Sequence, residues 1–132
     1  MIKYMLGAIL SVAALNANAC TFSWHTYGDD AIREKLSAKI GAHVPDQYCN
    51  KFNKNHEIVL QYNAYILRNM CVAHAIASIR KRGTETLQAK TRSAVITDTE
   101  CRTSGAANDL AVQASLNALD DLMSELDTWK VK

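Results

Sequence analysis

Proline and glycine are scarce in this chain: one proline, Pro45, and five glycines occur among its 132 residues. These two residue types form most tight turns, so their scarcity argues against an architecture of many short strands. The chain also contains long apolar segments that no such residue interrupts. This composition predicts an all-α domain, a small bundle of about four to five helices around a central hydrophobic helix.

An excess of charge of one sign is also lacking. The 15 basic side chains nearly balance the 13 acidic ones, and the formal net charge is +2 at pH 7. A balance so close to neutrality provides no bulk attraction to a phosphate backbone or to an anionic membrane surface. We therefore predict no nucleic-acid partner.

Motifs that carry catalytic chemistry are missing as well. The chain contains no glycine-rich phosphate loop and no G-x-S-x-G sequence. His56 and Glu57 match the start of a zinc-protease helix, but Leu60 stands where that motif needs its second histidine. Cys71 and His74 would lie on one face of a helix, yet no second pair of metal ligands accompanies them. We expect no catalytic, cofactor-binding or metal-binding residues and hence no enzyme.

The first residues have the features of an export signal. Lys3 is followed by the apolar stretch "MLGAILSVAAL", and "ANA" at positions 17–19 places small residues where a signal peptidase cleaves. A membrane-spanning helix would need ~20 continuous apolar residues, whereas two asparagines interrupt this segment. We predict a signal peptide over residues 1–19 and a single helical domain over residues 20–132. The mature protein is expected in the periplasm or outside the cell, without a transmembrane segment.

All four cysteines lie in the predicted mature chain: Cys20, Cys49, Cys71 and Cys101. An even number in an exported domain favours two disulfide bonds. Cys20 directly follows the leader and could instead carry a lipid anchor. Lipidated cysteines usually follow a branched aliphatic residue at the −3 position, however, and Ala17 occupies it here. Two disulfides are therefore the favoured interpretation, and lipidation is the alternative.

Four cysteines allow three pairings, among which the predicted helices indicate a preference. Gly83 marks the end of a long predicted helix that contains Cys71. The next segment can return antiparallel to that helix and bring Cys101 beside Cys71. This favours the bond Cys71–Cys101 and leaves Cys20 with Cys49. Each bond would close a loop of about thirty residues, which stabilises a fold by roughly 3 to 4 kcal/mol in the chain-entropy model.

Two short helices are predicted in the first half of the domain. The segment "DDAIREKLSAKIG" opens with two aspartates suited to capping and ends on a glycine. It repeats an apolar residue every four positions: Ile32, Leu36 and Ile40. A second short helix is predicted to carry Tyr48, Cys49 and Phe52.

Three longer helices are predicted after these. The segment "HEIVLQYNAYILRNMCVAHAIASIRKRG", residues 56–83, is apolar nearly all round when projected on a helix, so we place it at the centre of the bundle. A further helix is predicted over residues 85–96, where the apolar residues are spaced less regularly. A clear apolar face predicts a terminal helix over residues 106–130. Its outer face carries acidic side chains: Asp120, Asp121, Glu125 and Asp127.

The segment "FSWHTY", residues 22–27, concentrates aromatic side chains near the predicted mature N-terminus. Aromatic residues dominate the energetically important positions of protein interfaces. A disulfide at Cys20 would hold this segment against the domain. We predict a partner-binding patch that is formed by Phe22, Trp24, His25 and Tyr27.

The segment "YILRNMCVAHAIASIRK", residues 65–81, places a cysteine inside a predicted hydrophobic helix of a protein with a leader peptide. In these features the chain resembles the periplasmic amidase-immunity proteins of type VI secretion, small helical proteins that block the active site of a peptidoglycan-cleaving toxin. The resemblance implies a non-catalytic inhibitor or immunity protein whose partner is a cell-envelope enzyme or toxin. Two alternatives stay open: an outer-membrane lipoprotein adaptor or pilot acylated at Cys20, and a structural homodimer formed through the aromatic patch.

Overall fold

The structure is a computed structural model that describes residues 20–85 and 90–129. Within these ranges a four-stranded sheet carries a layer of helices on one face. The domain is therefore mixed α/β, and the prediction of an all-α bundle is wrong. The predicted signal peptide, residues 1–19, lies outside the described residues.

Strands and helices are interleaved along the chain in the order β1, α1, α2, β2, β3, β4, α3. The strands are β1 (Trp24–Tyr27), β2 (His56–Leu67), β3 (Met70–Lys81) and β4 (Thr91–Asp98). The helices are α1 (Asp30–Ser37), α2 (Asp46–Lys51) and α3 (Ser104–Met123), with short 3₁₀ segments at Ile40–His43 and Leu126–Thr128. The strands lie side by side in chain order, with β1 parallel to β2 and the other neighbours antiparallel.

The segment predicted as the central helix is a β-hairpin. β2 and β3 pair over their full lengths, from His56 opposite Lys81 to Leu67 opposite Met70. Most of the helix predicted over residues 85–96 is also wrong, because the chain from Thr91 onward forms β4.

The composition of β3 explains why its strand character is hidden in the sequence. The side chains of one face pack into the core beneath the helices: Cys71, Ala73, Ala75, Ala77 and Ile79. The opposite face carries Val72 and Ile76, which are also apolar and half-buried. A strand with apolar residues on both faces shows only weak alternation of apolar and polar residues, so periodicity alone does not distinguish it from a buried helix.

The long helix α3 covers the centre of the sheet. It contributes three fully buried alanines to the core that also contains the alanines of β3: Ala111, Ala114 and Ala118. Small side chains on both surfaces allow a helix and a sheet to pack closely. Thr103 caps the helix, since its side chain accepts a hydrogen bond from the backbone N–H of Ala106.

The predicted short helices are confirmed as α1 and α2. The Asp29 carboxylate caps α1 by accepting a hydrogen bond of 2.7 Å from the backbone N–H of Ala31. The apolar stripe that predicted this helix is buried under α3: Ile32, Leu36 and Ile40. Tyr48 of α2 and the following Phe52 are also buried, and their rings stack with centroids 5.9 Å apart.

Two disulfide bonds join Cys20 to Cys49 and Cys71 to Cys101. These are the favoured pairs, although the antiparallel return that brings Cys101 back to Cys71 occurs between strands rather than helices. Cys71 lies opposite Asp98 in the register of β3 and β4, and the chain reaches Cys101 three residues later. One bond therefore ties the sheet to the start of α3, and the other ties the segment before β1 to α2.

Candidate protein-binding surface

The face of the sheet turned away from the helices is the first candidate surface. No helix in residues 20–85 and 90–129 packs on it. Strand alternation places partly or largely accessible side chains there, among them Tyr27, Tyr65, Val72, His74, Ile76 and Val95. We call this surface the open face. His74 lies on it while Cys71 points into the core, so the shared face that a helix would have provided for these two residues does not exist.

Strand β1 divides the aromatic segment that was predicted to bind a partner. Phe22 and Trp24 are half-buried and pack against the core beneath the helices. The Arg33 guanidinium lies 4.8 Å from the centroid of the Trp24 ring and covers it further. His25 and Tyr27 project from the open face with ring centroids 5.0 Å apart. The structure therefore brings together two members of the patch and separates them from the other two.

A buried ion pair supports Tyr27 at this end of the open face. The Arg80 Nε–H donates to the Glu57 carboxylate at 2.7 Å, and an Arg80 Nη1–H donates to the Tyr27 hydroxyl at 3.0 Å. Ser23 donates a longer hydrogen bond of 3.4 Å to the same carboxylate. The hydrogen bonds from Arg80 to Tyr27 and Glu57 raise the pKa of the guanidinium above its usual value. This network fixes β1 against β2 and β3 and holds the Tyr27 ring in place.

The turn between β2 and β3 is the second candidate surface. Three consecutive large apolar side chains are exposed there, with 48% of Tyr65, 40% of Ile66 and 51% of Leu67 accessible to solvent. We call residues 65–70 the hairpin tip. Tyr65 and Leu67 lie on the open side of the hairpin, and Ile66 lies on the side of the helices. The tip is thus apolar on both faces because the helix layer ends before it.

A shallow depression of about 610 Å³ lies against the hairpin tip, and its wall also includes Thr99. Two residues, Arg68 and Asn69, close the turn between the paired residues Leu67 and Met70. Arg68 has a φ of 55°, a conformation that costs a residue with a side chain roughly 1 to 2 kcal/mol. Arg68 is also the one formal charge of the tip, so the tip combines an apolar surface with a single cation.

The Cys71–Cys101 bond anchors the hairpin tip at its base. Cys71 follows directly after Met70, and its partner lies just before the Thr103 cap of α3. Cys71 and Cys101 are both buried and pack with Ala107 in a small cluster separate from the main core. The bond therefore fixes the tip to α3, the longest of the described helices. A tip that is already fixed in the free protein loses less conformational entropy when it binds a partner.

Sequence reasoning missed the hairpin tip because it assigned these residues to a helix. A signal was present in the β-branched and aromatic residues that surround the turn, which favour strands over helices. The two-residue turn itself lacks the glycine that usually marks a hairpin.

No group of three or more histidine, cysteine, aspartate or glutamate side chains within the described ranges is arranged to hold a metal ion. None of the helices in that part of the chain combines the length and the apolarity needed to cross a bilayer.

Comparison with known proteins gives little further information. No protein-family model and no curated protein matches the chain. Among solved structures, the chain is similar to a candidate lipoprotein from Caulobacter crescentus CB15, with 13% sequence identity and a TM-score of 0.44. The match covers 82% of this chain and 88% of the other. A likeness this distant carries no argument about function.

Proposed function

We propose that this chain is an exported, non-catalytic protein that blocks a cell-envelope enzyme or toxin by inserting its hairpin tip into a cleft of that partner. The observation that carries the proposal is the run of three exposed apolar side chains, Tyr65, Ile66 and Leu67, on a disulfide-anchored turn. A contiguous apolar surface rimmed by polar residues is typical of an interaction site.

The energetics of the hairpin tip favour a concave partner surface. Burying a large apolar side chain fully contributes about 1.5 to 3 kcal/mol, and a cleft can cover both faces of a protruding turn. The flat surface of a partner would cover only Tyr65 and Leu67 or only Ile66. The tip would also lose little conformational entropy, since β2 and β3 pair up to its last residues.

Arg68 specifies the charge expected in the partner's cleft. Its guanidinium stands at the end of the turn and is exposed. A desolvated arginine requires a carboxylate or several hydrogen-bond acceptors, and a bidentate pair with a carboxylate satisfies it best. We therefore expect a cleft with apolar walls and an acidic group at its deep end.

The resemblance to amidase-immunity proteins also suggested a cell-envelope enzyme or toxin as the partner. That resemblance was based on a predicted helix, which the structure replaces with a hairpin. Residues 65–81 form part of a hairpin, so the hydrophobic helix in that resemblance does not exist. Blocking an active site remains our proposal because of the geometry of the hairpin tip alone.

The two disulfides indicate an exported protein, because cytosolic thiols are kept reduced. Within the envelope we propose a soluble periplasmic location. The Cys20 sulfur is bonded to Cys49, and one sulfur cannot also hold a thioether-linked lipid. This bond favours the soluble inhibitor over the lipoprotein adaptor.

A paired substitution tests the proposal. Leu67→Asp places a charge where the leucine would pack against an apolar wall, and Gln113→Asp places the same charge on the exposed surface of α3. A partner captured from host envelope extract is identified, purified and titrated with each protein by calorimetry. We expect Leu67→Asp to weaken binding roughly 100-fold or more and to abolish inhibition of the partner, since burying an unpaired charge costs several kcal/mol. Gln113→Asp should bind and inhibit like the unmodified protein.

Equal affinity of the two variants for the partner would contradict a binding role for the hairpin tip. Binding without any effect on the partner's activity would contradict the inhibitor function. Circular dichroism of both variants checks that the fold is retained.

A further inference from the structure

β4 is an edge strand that lacks most of the usual protection against pairing with another chain. It is the last strand of the sheet, and no other strand within residues 20–85 and 90–129 pairs with its outer side. Exposed edges are normally guarded by lysine, by charges that point inward, by proline or by a bulge. The sequence of β4, "TRSAVITD", contains neither lysine nor proline. Its pairing with β3 continues without a bulge from Ser78 opposite Thr91 to Cys71 opposite Asp98.

The charged and apolar side chains of β4 also leave its edge accessible. Arg92 is a charge that points inward toward the helix layer, but its ion pair with Glu125 neutralises it, so it opposes pairing less than a free charge would. Val95 lies near the middle of the strand on the open face and is 63% exposed, more than any other large apolar side chain described. The other edge of the sheet differs, because β1 has four residues.

We infer that two copies of this chain associate through β4, with the two strands antiparallel about a two-fold axis at Val95, to form a continuous eight-stranded sheet. Most soluble oligomers have closed symmetry, and a two-fold axis makes each strand its own complement. Backbone hydrogen bonds would then satisfy the outer N–H and C=O groups of β4 in both copies.

The register follows from the side chains that oppose one another across the axis. With Val95 on the axis, it faces its own copy, and Ser93 faces Thr97 of the partner subunit. Arg92 faces Asp98 of the partner subunit, so opposite charges meet at both ends of the strand pair. Arg92 can make this contact and keep Glu125, because a guanidinium has five N–H donors. A register centred on Ala94 would set Asp98 opposite Lys90, and one centred on Ile96 would set Arg92 opposite Glu100, but both of those partners lie outside β4.

The dimer does not depend on the proposed function. The hairpin tip lies at the end of β2 and β3 rather than at the outer edge of β4. In the antiparallel arrangement the two tips lie at opposite ends of the joined sheet, and both remain accessible to a partner.

Disulfide trapping tests the register directly. Val95→Cys places two thiols across the axis, where facing Cα atoms lie about 4.5 to 5.5 Å apart, so oxidation should give a covalent dimer. Ser93→Cys is the matched control, because two such residues would lie roughly 13 Å apart along the strands, beyond the reach of a disulfide. On a non-reducing gel we expect a dimer for Val95→Cys and a monomer for Ser93→Cys. Equal crosslinking of both variants would overturn the register.

Charge substitution provides a second test in solution. Val95→Glu and Val95→Lys should each sediment as a monomer, because like charges would meet on the axis. An equimolar mixture of the two should recover a dimer, and circular dichroism should show both variants folded. The inference is wrong if the unmodified protein is monomeric at high micromolar concentration. It is also wrong if β4 pairs only with a strand of a different protein. Leu67→Asp should remain dimeric, so failure of the dimer and failure of the inhibitor function are distinguishable.

Discussion

At the scale of single residues, Arg68 is the position where the backbone of the hairpin conflicts most with its sequence. Its positive φ is favourable for glycine and unfavourable for a residue with a Cβ atom. Strain of this kind persists at functional sites when the side chain is needed there. Arg68 is exposed at the end of the hairpin tip, which agrees with a role for its charge in binding rather than in folding.

Replacing Arg68 should therefore separate stability from binding. We expect Arg68→Gly to raise the free energy of unfolding by up to about 1 kcal/mol, because glycine adopts this φ without steric cost. The same variant should bind the partner more weakly, since it removes the cation of the tip. Urea denaturation and calorimetry measure the two effects.

The neighbouring residue provides the control for this prediction. Asn69 does not share the positive φ. Asn69→Gly should therefore lower the free energy of unfolding by roughly 0.5 to 1 kcal/mol, because glycine gains more freedom in the unfolded chain. A loss of stability in Arg68→Gly as well would show that the arginine conformation is not strained.

At the scale of secondary-structure elements, the Arg80–Glu57 pair connects three strands. The two side chains are 6% and 15% exposed, and Arg80 extends from β3 past β2 to the Tyr27 hydroxyl on β1. Because β1 has four residues, its backbone pairing is limited and this network adds a side-chain link. The orientation of Tyr27 on the open face thus depends on a buried charge in another strand.

Removing one partner of this pair should be costly. Glu57→Leu leaves the Arg80 guanidinium buried without its carboxylate, so we expect the free energy of unfolding to fall by about 3 to 5 kcal/mol. The double variant Glu57→Leu/Arg80→Met should recover most of that loss, because two packed apolar groups can replace an ion pair. Chemical denaturation of the single and double variants measures the difference. Equal loss in both would mean that packing around these side chains, rather than the unpaired charge, determines the effect.

At the scale of the whole molecule, two disulfides hold together a domain in which the helices of residues 20–85 and 90–129 lie on one side of the sheet. One bond fixes the N-terminal segment beside β1, and the other fixes the hairpin tip to α3. The helix layer covers one face and ends before the tip. The hairpin tip, the outer edge of β4 and the part of the open face that carries Tyr27 and Val95 consequently remain accessible together, whereas Val59 and Ser78 of the same face are buried.

Intact mass of the exported protein tests this arrangement of cysteines. Under non-reducing conditions we expect the mass of residues 20–132 less the two hydrogens that each disulfide removes. Reduction should restore those hydrogens. An added diacylglycerol mass would instead show that Cys20 is acylated, which would contradict the soluble inhibitor and favour the lipoprotein adaptor.

Local sequence signals were sufficient to predict α1, α2 and most of α3. In α1 an aspartate cap precedes an apolar stripe with helical spacing. In α3 the helical spacing of apolar residues continues over many more residues than a typical strand contains, so a strand is excluded. The cysteine count and an antiparallel return after Gly83 were sufficient for the disulfide pairs. That argument survives the change from helices to strands because a chain reversal brings the same residues together in either structure.

The sequence by itself determined α1, α2 and most of α3, the chain reversal after Gly83 and the residues that form the two disulfides. Only the tertiary structure decided that residues 56–81 form strands, because an apolar segment satisfies a buried helix and a sheet strand equally well until its neighbours are known. That choice also divided Phe22 and Trp24 from His25 and Tyr27. It placed Tyr65, Ile66 and Leu67 beyond the helix layer, since a strand rises about twice as far per residue as a helix and carries the turn out of the core.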